Sequence, residues 1–188
     1  MIQLLYPLEP APVVGVRNEN SEMLPVVDSI GRVYAQSSRE NCHNASEALM
    51  HPVVHLEIVD RYSRIYLQRR SPRKKKYALR WDIAVGGHVS YAESFSQALR
   101  REAREEIGLE EFNPQFLANY ITEEEGDVEL VGLYVAVGTF SLSPDGDEVC
   151  DGRYWTQEEI SKNIGAGIFT PDFEEEYLNY NEKILALL

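Results

Sequence analysis

The stretch from Ser94 to Ile107 restricts the fold more than any other part of the chain. Its apolar residues Phe95, Leu99, Ala103 and Ile107 recur every four positions, which puts them on one ridge of an α-helix. Ser94 with Gln97 has capping-box spacing at its start, and Gly108 stands where helices commonly end. Ser90 with Glu93 has the same spacing, so two starts are open. A rotation of about 100° per residue also brings Glu102 and Glu106 into the angular sector of that ridge, with Glu105 on its flank. Helix glutamates ordinarily form a solvated face, but Arg100, Arg101 and Arg104 already occupy the opposite side. Three carboxylates beside an apolar stripe repel one another, and burying them unpaired is costly. A divalent cation resolves the conflict, and an all-oxygen donor set suits Mg²⁺ or Mn²⁺.

The remaining pattern predicts an α/β fold with a mixed β-sheet and helices on both faces. Residues 1–22 hold three prolines and little periodicity, which predicts an irregular arm or an edge segment. Residues 23–188 then read as a single domain. Runs 24–27 and 32–35 predict a hairpin across Asp28-Ser29-Ile30-Gly31, and runs 52–59 and 64–69 predict antiparallel strands around the polar turn 60–63. Residues 81–85 read as a strand that Gly86-Gly87 ends with a sharp turn. Longer strands are expected at 116–122 and 128–139, and a short one at 153–156. Thr156 with Glu159 caps one C-terminal helix, and Thr170-Pro171 opens a second that runs toward Leu188.

The net charge of −13 argues against a general binder of nucleic-acid polymers or anionic membranes, because both need clustered positive charge. Seven of the 18 basic residues nevertheless gather just ahead of the glycines: Arg69, Arg70, Arg73, Lys74, Lys75, Lys76 and Arg80. Arg69, Arg70 and Arg80 are candidates to grip substrate phosphates, while the run Lys74 to Lys76 reads as a solvated loop. Trp81 could stack on a base, yet a tryptophan that opens a strand is more often core. Cys42 and Cys150 lie far apart, with no paired metal-ligand spacing, and a reducing, cytoplasmic compartment is expected. The first ten residues lack the basic segment of a secretory leader, and no run approaches the ~20 apolar residues of a membrane span.

Gly87, five residues, Glu93, seven residues, and then Arg101-Glu102-Ala103-Arg104-Glu105-Glu106-Ile107-Gly108-Leu109 follow without a gap. This resembles the Nudix box, over residues 87–109. The resemblance implies an α/β/α sandwich and a Mg²⁺- or Mn²⁺-dependent hydrolase. The reaction implied is cleavage of a diphosphate linkage in a nucleoside diphosphate derivative or a similar small metabolite. It implies further that Glu102, Glu105 and Glu106 hold metal, helped by a backbone carbonyl at Gly86 or Gly87, and that Arg101 orients a glutamate. Glu93 would brace the geometry of loop and helix. Glu105 or Glu102 would take the proton from the attacking water, with Glu123, Glu124, Glu125 and Glu148 as alternatives from later loops. Homodimerisation is left open.

The stretch Trp81-Asp82-Ile83-Ala84-Val85-Gly86-Gly87-His88-Val89, preceded by Leu67-Gln68-Arg69-Arg70, resembles the branch of this superfamily that includes isopentenyl-diphosphate isomerase. Gly86 stands where that enzyme has a catalytic cysteine. His51, His55 and His88 echo its histidine metal site, although the spacing of His51 and His55 departs from its pattern. Two other readings therefore accompany the hydrolase: an isomerase of prenyl diphosphates, and a sensor that binds a diphosphate without turnover.

Overall fold

The computed structural model describes residues 1–15, 21–44 and 48–188, so residues 16–20 of the N-terminal arm lie outside the described residues. The expected first hairpin forms from Met23–Val27 (β1) and Val33–Ser38 (β2), paired antiparallel as a two-stranded sheet. Asp28 closes its turn by accepting the N–H groups of Ile30 and Arg32 at 3.1 and 2.9 Å. Gly31 takes a φ of 82°, a left-handed conformation that glycine adopts without strain. The arm behaves as an edge segment, since Leu5 and Val13 make parallel bridges to Arg32 and Gln36. A helical turn without a clear signal in the sequence, Arg39–Cys42 (α1), follows where the Ser38 hydroxyl accepts the Asn41 N–H at 3.4 Å.

Seven strands form a mixed sheet: His51–Val59 (β3), Ile65–Arg70 (β4), Trp81–Asp82 (β5), Val85–His88 (β6), Gln115–Glu124 (β7), Asp127–Val137 (β8) and Val149–Trp155 (β9). The order is β5-β4-β3-β8-β7, with β6 also pairing β3 and β9 also pairing β4. Asp60 fixes the β3–β4 turn by accepting the Tyr62 and Arg64 N–H groups at 2.9 and 3.0 Å and the Arg64 guanidinium at 2.8 Å. The expected strand over residues 81–85 needs correction. It breaks after Asp82, and Gly86 and Gly87 lie inside β6 rather than at a sharp turn. The cause is local: Asp82 Oδ1 accepts the Ile83 N–H at 3.0 Å and the Thr170 hydroxyl at 2.6 Å, a side-chain bond that competes with the ladder.

The chain forms two compact units, one of residues 1–54, 87–99 and 118–133 and one of residues 55–86, 100–117 and 134–188. The second has an aromatic core. Trp155 and Phe169 meet edge to face with centroids 5.2 Å apart, Phe169 and Phe173 at 5.1 Å, and Ile65, Leu67, Ile83 and Ile160 fill the space around them. Gln157–Asn163 (α3) and Pro171–Leu185 (α4) cover that core. Both start as their sequences require, with a full capping box at Thr156 and Glu159 and with Thr170 capping ahead of Pro171. Trp81 packs against this cluster, edge to face with Trp155 at 5.2 Å, which favours the core reading of that residue.

Glu57 is 1% exposed in the middle of β3, and its Oε2 lacks a hydrogen-bond partner. Burial first, and repulsion from Glu176 second, raise its pKa well above the ordinary value against the opposing effect of His55. His55 itself pairs through Nδ1 with Glu176. The unfolded chain releases the Glu57 proton in the ordinary carboxyl range while the folded chain retains it, so this group costs stability increasingly as pH rises above that range. Replacement Glu57→Gln is therefore expected to raise the unfolding midpoint, with a gain that grows between about pH 5 and pH 8. Parallel midpoint curves for the two proteins across that range would show that Glu57 is not held neutral.

Candidate active site

The carboxylates are presented by Phe95–Ile107 (α2). Of its two candidate starts the chain uses Ser94: the Ser94 N–H donates to Gln97 Oε1 at 2.9 Å and the Gln97 N–H to Ser94 Oγ at 3.3 Å. Ser90 and Glu93 instead close the turn before it, with the Ser90 N–H on Glu93 Oε2 at 3.1 Å. At the far end Gly108 takes a φ of 65°, and the N–H groups of Gly108 and Leu109 donate to the carbonyls of Arg104 and Ala103 at 3.1 and 2.9 Å. The Gly108 bond is the 5→1 bond of an αL stop. The segment after β8 caps two more carbonyls, as the Ser143 and Asp145 N–H groups donate to Ile107 and Glu106 at 2.9 and 3.0 Å.

Glu106 is buried at 6% exposure. Its Oε2 accepts the Gln68 amide at 3.3 Å and the Gly86 N–H at 3.2 Å. Both donors are neutral. Burial, with repulsion from Glu102 next, pushes its pKa up to about 8. Glu106 therefore has no cation among its hydrogen-bond donors, and the hard oxygens of the two carboxyls fit the donor set of a divalent cation. Gly86 sits at a close approach rather than at an unusual φ: a Cβ there would lie 3.1 Å from Ile83 Cδ1, a tight contact with the end of that side chain.

Arg101 differs from its expected place on the solvent side with Arg100 and Arg104. Its Nη1 lies 2.6 Å from Glu102 Oε1 and 3.4 Å from Glu105 Oε2, so its long side chain folds back along the helix to hold two of the box glutamates. Glu105 is the exposed member of the three and also faces Arg104 at 3.9 Å.

Other candidates divide. Glu148 acts on Glu106 strongly enough to help raise its pKa, and Lys74, which pairs with Glu148, acts in the opposite sense. Lys74 is therefore not part of a merely solvated run. Arg70 donates to Asp82 Oδ2 at 2.8 Å, Arg69 to the Leu79 carbonyl at 3.0 Å, and Arg80 to the Phe169 carbonyl at 3.3 Å. Glu123 and Glu124 lie in β7, and Glu125 occupies the following turn at a φ of 51°. Gly87 follows Gly86 in β6. Of the three histidines linked by sequence, His51 and His88 stack with centroids 5.4 Å apart, but His55 is engaged with Glu176; the third ring beside His51 and His88 is that of His43. Gln68 and His43 escaped the sequence reading. Gln68 had one usable signal, a polar side chain at the end of the buried run Ile65-Tyr66-Leu67.

A family model described as NUDIX domain matches residues 50–173. The chain is similar to an uncharacterised Nudix hydrolase of Yersinia pestis, 32% identical over 154 residues that make up 80% of this chain and 81% of that protein. It is also similar to one of Streptomyces coelicolor, 28% identical over 160 residues, or 84% and 87% of the two chains. Among solved structures, that of DR0079 from Deinococcus radiodurans aligns with a TM-score of 0.70 at 24% identity, covering 82% of this chain and 96% of that one. The NUDIX domain of Shewanella oneidensis NrtR, solved in complex with ADP ribose, aligns with a TM-score of 0.58 at 14% identity over 73% of this chain and 88% of that one.

The contact between Arg70 and Asp82 leads to a measurable outcome. Removing the guanidinium by Arg70→Ala strands a buried carboxylate, and the expected loss of stability is about 2 to 3 kcal/mol. Chemical denaturation of the two proteins checks this. An unchanged midpoint in Arg70→Ala would mean that the ion pair contributes nothing to the fold.

Proposed function

The chain belongs to the NUDIX family, and on that premise we propose that it is a Mg²⁺- or Mn²⁺-dependent pyrophosphohydrolase of a nucleoside diphosphate derivative or a similar small diphosphate. One observation carries the reading. Buried Glu106, with Glu102 one helical turn before it, forms an electron-rich pocket of carboxylate oxygens held by Gln68, Gly86 and Arg101. Glu102, Glu105 and Glu106 would hold the cation, which when bound neutralises phosphate charge and makes water a better nucleophile. The Gln68 amide and the Gly86 N–H fix the direction of the Glu106 carboxylate. Arg101 holds Glu102 and Glu105 in register along the helix. Glu105, the most exposed of the three, or Glu102 accepts the proton of the attacking water, with Glu148 as the candidate from a later loop.

Arg69 and Arg80 would contact substrate phosphates, each keeping one bond to a backbone carbonyl, while Arg70 divides its charge with Asp82. ADP ribose, the partner of the Shewanella domain, is a nucleoside diphosphate joined to a sugar and so falls in the proposed substrate class. A cytoplasmic setting agrees with two free cysteines. Isomerisation of a prenyl diphosphate is disfavoured because Gly86 offers no acid or base. Cys42 gives no substitute thiolate, since burial, then repulsion from Asp127, pushes its pKa up to about 12.

Substitutions Glu105→Gln and Glu106→Gln are each expected to lower the Mg²⁺-dependent kcat by ~10² to 10⁴ with an unaltered circular dichroism spectrum. A screen of diphosphates, read by phosphate release through a coupled phosphatase, supplies the substrate for this assay. Near-normal turnover in both variants would sink the assignment. Incubation with isopentenyl diphosphate and Mg²⁺ in deuterated water should leave the substrate unlabelled; deuterium in the allylic isomer at enzyme-like rates would establish the isomerase instead.

A further inference from the structure

The N-terminal arm is bonded to the loop that leads into α2, and both lie in the unit of residues 1–54, 87–99 and 118–133. The arm is itself anchored to the first hairpin. The Leu5 N–H donates to the Gly31 carbonyl at 2.9 Å, and the Leu5 carbonyl accepts the Val33 N–H at 3.0 Å. Tyr6 therefore stands on a fixed edge segment. Its hydroxyl accepts the Ala92 N–H at 3.1 Å and donates to the Glu93 carbonyl at 3.1 Å. Its ring meets that of Tyr91 edge to face, with centroids 5.5 Å apart. Farther along the arm the Ala11 N–H donates to the Tyr91 hydroxyl at 2.8 Å, and the Met23 carbonyl of β1 accepts the Tyr91 N–H at 2.8 Å. Residues 91–93 are thus held from the arm and from β1.

Ala92 is the residue that needs such support. Its φ of 69° is left-handed, a conformation that crowds a Cβ and that glycine ordinarily supplies. The Tyr6 hydroxyl bonds on both sides of this turn, at the Ala92 N–H and at the Glu93 carbonyl. Burial, against the opposing effect of the Ala92 N–H, pushes the Tyr6 pKa up to about 12, so the hydroxyl keeps its hydrogen at neutral pH and bonds in both directions. The turn decides where α2 begins. Buried Phe95, Leu99, Ala103 and Ile107 fix which side of the helix faces inward, whereas the loop fixes where along its axis the helix starts. Each helical residue advances the chain by ~1.5 Å, so a slip of less than one residue moves Glu102, Glu105 and Glu106 by about 1 Å. Displacements of that size cost up to ~10²-fold where several groups must meet in one geometry.

We propose that Tyr6 is a positioning residue of the box: through its bonds at Ala92 and Glu93 it sets the start of α2, and so the geometry in which the box glutamates receive a cation. This role rests on the proposed binding of a cation by those glutamates. It also gives the N-terminal arm a task beyond covering the edge of the hairpin.

Binding of Mn²⁺ reads this geometry without any substrate. After chelator stripping, the whole chain is titrated with Mn²⁺ while the electron-spin resonance of the free ion is recorded. Glu106→Gln is expected to lose the box site, which identifies that site among any others. Tyr6→Phe keeps the ring on Tyr91 and removes only the hydroxyl. At a temperature where circular dichroism shows both proteins folded, it should weaken Mn²⁺ binding at the box about tenfold. Ala92→Gly added to Tyr6→Phe should recover that affinity, because glycine holds the left-handed turn without the hydroxyl. A brace that serves stability alone leaves the affinity of folded Tyr6→Phe at the wild-type value. That result, or a failure of Ala92→Gly to recover the lost affinity, would overturn the proposal. Equal binding by wild type and Glu106→Gln would overturn the cation site itself, and the role of Tyr6 with it.

Discussion

A buried carboxylate with only neutral hydrogen-bond donors is the constraint around which the candidate active site is organised. Glu106 accepts from Gln68 and Gly86, and these two bonds fix one end of β4, the start of β6 and the last turn of α2 against one oxygen. Neutral donors orient a charge without cancelling it. Arg101 meanwhile pairs with Glu102 and Glu105 rather than with Glu106.

This division of labour explains why parts of the site were legible in the sequence and others were not. The helix, its Ser94 cap and its Gly108 stop follow from local spacing, which governs backbone conformation within a few residues. Glu102, Glu105 and Glu106 were legible because helical geometry forces them together whatever else the chain does. Gln68 was not, because its role depends on strand register, a long-range property that alternation alone does not set. The same limit misled the reading of Gly86-Gly87. A glycine pair signals a turn in the absence of context, yet here it marks the close approach of Ile83 and an N–H aimed at Glu106.

Charge runs were the least informative signal. Residues Arg69 to Arg80 looked like one basic patch, but the chain uses them for several tasks. Arg70 neutralises buried Asp82, Lys74 meets Glu148, and Arg73 meets Asp147. The histidines show the complementary error, since the resemblance grouped His55 with His51 and His88, although His55 pairs with Glu176 and lies in a strand that is buried along its length. When both faces of a strand are covered, sharing a face does not mean sharing neighbours.

The bonds from Ser143 and Asp145 to the carbonyls of Ile107 and Glu106 give the segment after β8 a further meaning. Asp145 also gathers the N–H groups of Asp147, Glu148 and Val149, so this connection is wound onto the end of α2 rather than draped past it. Its length is thereby tied to the position of Glu148. Inserting or deleting a residue there would move a carboxylate relative to the helix, and such indels would act as changes in electrostatics rather than as harmless variation in a surface loop.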